Sequence, residues 1–125
     1  EMLRSLVGSE MCIRDSLGRE LMASTSLRRE FKFSILVPAA DYYPQAGAEE
    51  QVLLQGVVDC CFETLEGITV VDFKTDRVDR RSVAARAEEY RPQLAAYSRA
   101  LEEITGKPVI RRCLWFFALD QAVDV

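Results

Sequence analysis

The 125 residues predict an α/β domain built on a mixed β-sheet flanked by helices. Three observations lead there. Residues 57–74 carry the pattern of a β-hairpin, a helical segment follows, and a strongly apolar strand comes after the helix. A strand reached through a crossover helix of this length lies parallel to the strand it joins, so antiparallel and parallel pairing share one sheet.

Residues 1–16 do not share the pattern of the rest. They show no cap and no sustained period, and Gly8, Ser9 and Glu10 break their apolar stretch, which argues against a signal peptide. We set them aside as a non-native leader and take residues 17–125 as the domain. Residues 17–22 read as the end of a helix that stops at Ser24-Thr25-Ser26, and the alternation over residues 30–37 predicts a strand. Residues 38–50 form a loop. Residues 52–63 are the first arm of the hairpin, in which Gly56 marks a close approach or a bulge. Residues 57–63 and 68–74 are rich in β-branched and apolar side chains, and Thr64-Leu65-Glu66-Gly67 joins them in four residues ending in glycine.

Residues 76–81 are polar and irregular, and residues 82–90 have helical composition. Pro92, suited to a first helical turn, either kinks this helix or starts another. Leu94, Tyr97, Leu101 and Ile104 recur at steps of 3, 4 and 3, which predicts one buried stripe with Ser98, Arg99, Glu102 and Glu103 facing outward. Gly106 and Pro108 end the helix. Residues 109–119 then read as a final strand buried on both faces.

Composition narrows the function. The apolar fraction of 49% suits a globular domain, and no run of about 18 apolar residues exists to span a membrane. Histidine is absent and the four cysteines, Cys12, Cys60, Cys61 and Cys113, form no Cys-x-x-Cys pair, which argues against zinc and against an iron–sulfur cluster. Cysteines within apolar strands read as small buried hydrophobes in a reducing cytoplasm. A net charge of −4 argues against an autonomous DNA-binding module, although Arg77, Arg80, Arg81, Arg86 and Arg91 cluster where they could hold phosphates.

The hairpin carries the chemistry. An unbulged ladder closing on Glu63 and Ile68 brings Asp59 directly opposite Asp72 on one face. Like charges about 5 Å apart at an effective dielectric of about 20 repel by about 3 kcal/mol, so a counter-charge is required. Lys74 returns to that face by the strand period of two, while Phe73 points into the other layer. Two converging carboxylates make an oxygen-rich site suited to Mg²⁺ or Mn²⁺, and a neighbouring ammonium suits phosphodiester hydrolysis.

In order and spacing, Gly56-Val-Val-Asp59, Asp72-Phe-Lys74-Thr-Asp76 and Gln93-Leu-Ala-Ala-Tyr97 resemble the RecB-type branch of the PD-(D/E)XK nuclease superfamily. Within it they are most similar to the C-terminal nuclease domains of AddA-type helicase/nuclease subunits. Similarity extends from Glu30-Phe-Lys-Phe33 to Phe117. The resemblance implies a restriction-endonuclease-like sheet. It makes Asp59 and Asp72 metal ligands together with the Phe73 backbone carbonyl, Lys74 the catalytic lysine, and Gln93 and Tyr97 supports that hold the DNA strand. It also implies a Mg²⁺-dependent exonuclease, with Mn²⁺ as substitute, acting on single strands from unwound duplex during double-strand-break repair by homologous recombination. The expected partners are a helicase region of the same polypeptide and an AddB-like second subunit, in the bacterial cytoplasm and not at a membrane.

No Gly-x-x-x-x-Gly-Lys-Ser/Thr loop is present, so ATP would act only through a helicase region outside this chain. The family's upstream helix carries a histidine or glutamate near the metal, for which Glu20 is the stand-in here. We therefore expect a partial nuclease domain, truncated at its N-terminus. The alternative is a non-catalytic module of the same fold that binds DNA or docks on a helicase.

Overall fold

The computed structural model describes Leu17, Arg19, Glu20 and residues 24–125; the leader assigned to residues 1–16 lies outside the described residues. Among the described residues five strands, β1 (Arg28–Pro38), β2 (Gln51–Glu63), β3 (Ile68–Lys74), β4 (Val109–Phe116) and β5 (Gln121–Asp124), lie side by side in chain order. One long helix, α1 (Val83–Thr105), connects β3 to β4. Pairing is antiparallel except between β3 and β4, which run parallel as the crossover requires. This is the α/β mixed sheet expected from the sequence.

β2 and β3 pair from Glu63↔Ile68 to Cys60↔Val71, the register that the four-residue connection sets. Across the sheet, α1 and one face enclose Phe33, Val58, Cys61, Val70, Leu94, Leu101, Leu114 and Phe116. The other face gathers Cys60, Phe62, Val71, Cys113 and Trp115, with Leu17 packed among them. The three described cysteines are buried, as their apolar setting led one to expect, and none of them forms a disulfide. Burial pushes the Cys60 thiol up to about 12, which leaves it protonated and unreactive.

α1 runs unbroken through Pro92, so neither a second helix nor a new start exists there. The missing N–H at Pro92 orphans the carbonyl of Glu88, and Glu88 is exposed, where water can satisfy it. At the N-terminus Asp79 Oδ1 accepts from the N–H groups of Arg81 and Ser82, at 2.9 Å each, and Ser82 Oγ accepts from Asp79 N–H at 3.0 Å. Gly106, at φ 73°, closes the other end in the left-handed conformation.

Two expectations are corrected. The buried residues of α1 are Ala87, Leu94, Ser98, Ala100 and Leu101, so Leu94 and Leu101 of the expected stripe hold, whereas Tyr97 is half-buried and Ile104 is 46% exposed. Ser98, expected outward, is buried because its hydroxyl donates back to the Leu94 carbonyl at 2.8 Å and so needs no water. The apolar run over residues 109–119 is not one strand: β4 stops at Phe116, and a tight turn through Asp120 (φ 51°) returns the chain as β5. No glycine or proline marks that turn. Leu101, 1% exposed between helix and sheet, is expected to cost about 2–5 kcal/mol on substitution by alanine, read as a lower urea midpoint.

Candidate active site

Beyond Cys60↔Val71 the β2–β3 ladder ends, one step short of pairing Asp59 with Asp72. β1 is irregular at the same level. Glu30 sits at φ 51°, and the β1–β2 ladder passes over Glu30 and Asp59 before resuming at Phe31↔Val58. Side-chain alternation in β2 breaks there too, since Val58 and Cys61 share the helix face while Cys60 faces away. The unbulged ladder expected from the sequence is thus interrupted at its acidic residue.

The interruption frees Asp59 to reach across. Its Oδ2 accepts the Phe73 backbone N–H at 2.9 Å, in place of a main-chain partner. In an extended strand the N–H and C=O of one residue face the same edge, so the Phe73 carbonyl shares this opening with Asp59. Asp72 is buried, with 4% of its side chain exposed. Burial raises its pKa most, and a side-chain hydrogen bond with Asp59 raises it further; Lys74 pulls the other way, and the balance lies at about 7. Two carboxyls therefore converge, through a side chain and not through ladder pairing.

Lys74 Nζ lies 2.6 Å from Asp72 Oδ2, 2.8 Å from Gln93 Oε1 and 3.8 Å from the centroid of the Tyr90 ring. Tyr97, four residues beyond Gln93, packs edge-on against Phe33 with centroids 5.8 Å apart. Gly56 makes room for both rings, because a Cβ there would stand 3.0 Å from Phe33 and 3.3 Å from Tyr97. Burial, then the charges of Asp72 and Asp59, push the Tyr97 phenol up to about 12, which keeps it a neutral donor beside the acids. Asp59, Asp72, Phe73, Lys74, Gln93 and Tyr97 are brought together.

Glu20 is not part of this group. It lies 3.7 Å from Arg111, which also holds Asp124. Of the arginine cluster, Arg86 pairs with Asp76 and Glu89, and Arg91 with Glu88, whereas Arg77, Arg80 and Arg81 are exposed and make no ion pair among the described residues. One residue next to the site, Tyr90, escaped the sequence reading. Tyr90 lies under Lys74, and Tyr90 Oη donates to both oxygens of Asp76, at 3.0 and 2.9 Å. Arg86, Tyr90, Gln93 and Tyr97 recur at steps of 4, 3 and 4, a helical stripe that a break at Pro92 conceals.

The donors around the opening are all oxygens: two carboxylates and the Phe73 carbonyl. Among the described residues no three acidic, histidine or cysteine side chains converge, so a cation here would also need water or substrate oxygens. An acid pair left with one lysine as counter-charge, its buried member raised to about 7, fits a hard divalent ion.

Comparison with known proteins agrees in kind. The family model described as the PD-(D/E)XK nuclease superfamily matches residues 6–123. The AddA subunit of the ATP-dependent helicase/nuclease from Desulforudis audaxviator is 43% identical over 101 residues, covering 79% of this chain and 8% of that protein. Its counterpart in Acetivibrio thermocellus is 41% identical over 109 residues, covering 84% and 9%. That of Bacillus cereus strain G9842 is 35% identical over 118 residues, covering 87% and 10%. The chain spans about a tenth of the length of these relatives.

Proposed function

The chain belongs to the PD-(D/E)XK nuclease superfamily, and on that premise we propose that it is the metal-dependent DNA nuclease domain of an AddA-like helicase/nuclease. The observation that carries the reading is the meeting of Asp59, Asp72 and Lys74 where the β2–β3 ladder ends. Its substrate is DNA, taken as single strands delivered by a helicase region of the same polypeptide, with an AddB-like partner in the bacterial cytoplasm. Such an activity serves double-strand-break repair by recombination.

In this reading Asp59, Asp72 and the Phe73 carbonyl would hold Mg²⁺, or Mn²⁺ in its place. A bound divalent ion supplies a water of lowered pKa and balances charge on the phosphoryl oxygens. Lys74 donates to the scissile phosphate and offsets the negative charge that grows in the transition state. Gln93 fixes the lysine through its Oε1 and leaves its amide N–H groups for a strand oxygen. Tyr97 closes the wall beside the acids as a neutral donor. The exposed Arg77, Arg80 and Arg81, in the segment that follows β3, give phosphates further along a strand their counter-charge.

Metal titration tests the reading. With Mg²⁺ at ten times its Kd, the folded state gains about 1.4 kcal/mol, a melting shift of several degrees for a domain this size. The shift is expected in the unaltered domain and absent from Asp59→Ala, and Mg²⁺-dependent cleavage of a single-stranded oligonucleotide should follow the same pattern. A folded protein with neither response would instead be the non-catalytic DNA-binding or helicase-docking module.

A further inference from the structure

Lys74 has to keep its place while its partners change. Its shortest contact is to Asp72, and a carboxylate engaged by a divalent ion holds an ammonium less firmly. Two contacts do not depend on Asp72: the Gln93 carbonyl oxygen at 2.8 Å and the Tyr90 ring at 3.8 Å from its centroid. An aromatic face attracts an ammonium through its quadrupole without neutralising it, so the charge remains available to a phosphate.

The ring is itself fixed. Tyr90 Oη donates to Asp76 Oδ1 at 3.0 Å and Oδ2 at 2.9 Å, and Arg86 Nε stands 3.5 Å from Asp76 Oδ2. A phenol donating to a carboxylate gains electron density in its ring, which deepens the attraction of its face for a cation. Arg86, Tyr90 and Gln93 project from one face of α1, and Asp76 follows Lys74 by two residues. Helix and strand thus meet on the lysine from two directions.

From this arrangement we infer that Tyr90 is a positioning residue for cleavage, its ring a platform that keeps the Lys74 ammonium aimed at substrate, with Asp76 orienting the ring. This rests on the nuclease reading. Tyr90 contacts Lys74 and Asp76, and its part in cleavage runs through the lysine.

The test uses the complete protein that carries this domain, with a single-stranded oligonucleotide and Mg²⁺. Tyr90→Leu is expected to lower kcat about 10–30-fold with KM within about twofold, while Tyr90→Phe and Tyr90→Trp, which keep a ring face, stay within about threefold. On a Lys74→Met background Tyr90→Leu should cost no more than about twofold, because its route of action is already gone. In EDTA the melting losses of Tyr90→Leu and Lys74→Met should not add. Equal kcat in the Leu and Phe variants, or additive melting losses, would overturn the inference while leaving the nuclease reading intact. Full cleavage by Lys74→Met would overturn both. If Tyr90→Leu does not fold, Tyr90→Trp decides: a loss of more than about tenfold despite the retained ring would overturn the inference, and a near-normal rate supports it.

Discussion

Substituting Asp72 by asparagine is expected to abolish metal-dependent DNA cleavage, by at least about 10³-fold, and to make the metal-free domain more stable at pH 8. Activity falls because a buried ligand loses its charge. Stability rises for the same reason. Burial and the neighbouring Asp59 raise the Asp72 pKa from 3.8 to about 7 in the folded chain. Between about pH 4 and pH 7 the folded state therefore holds a proton that the unfolded state has released, and stability falls as pH rises through that window. Above about pH 7 the whole penalty is present. One pKa unit is worth about 1.4 kcal/mol, so the ceiling is about 4 kcal/mol with the pull of Lys74 already counted, and the buried amide's own unmet hydrogen bonds bring the expected gain to roughly 1–3 kcal/mol. Urea unfolding in EDTA at pH 5 and pH 8 measures it: the unaltered domain should be the less stable at pH 8, and Asp72→Asn should remove most of that difference. An Asp72→Asn variant that is less stable at pH 8 would show the carboxylate to be a structural asset and not a strained ligand.

Much of this site was legible because strand periodicity is strict. The four-residue connection fixed the β2–β3 register, and a period of two then put Asp72 and Lys74 on one face and Phe73 on the other. The interruption at Asp59 was not legible, because the irregularity it coincides with, Glu30 at φ 51°, lies in a different strand and no glycine announces it. Its consequence is chemical: an acid paired in the ladder would only face its neighbour, whereas Asp59 released from the ladder reaches the Phe73 N–H.

The helix shows a different limit. Local rules assign Pro92 to a helix start, and only packing against the sheet decides that α1 continues through it. Dividing the chain there separated Tyr90 from Gln93 and hid the stripe that surrounds Lys74. Ser98 was misplaced by its polarity, which a backbone carbonyl one turn earlier satisfies. β5 was missed because the turn before it contains neither glycine nor proline, so the apolar run appeared unbroken.

Lys74→Met should reduce cleavage by about 10²–10³-fold, the range for loss of one donor aimed at transition-state charge, yet move stability opposite to Asp72→Asn. Methionine fills a similar volume without the ammonium, so Asp72 would remain buried beside Asp59 with its 2.6 Å counter-charge gone. Breaking one side of a buried pair leaves an uncompensated charge, and with Lys74 13% exposed the expected cost in EDTA at pH 8 is about 1–3 kcal/mol. At pH 5 most of that cost should vanish, since Asp72 then carries its own proton. On an Asp72→Asn background it should vanish at both pH values, because the charge that needed a partner is absent. Mg²⁺ should restore Lys74→Met toward the unaltered stability at pH 8 without restoring cleavage, because a divalent ion can replace the lysine as counter-charge to the acids but not as donor to the phosphate. Undiminished cleavage by Lys74→Met, or rescue of both stability and cleavage by Mg²⁺ alone, would remove the lysine from the chemistry and leave it a structural ion pair.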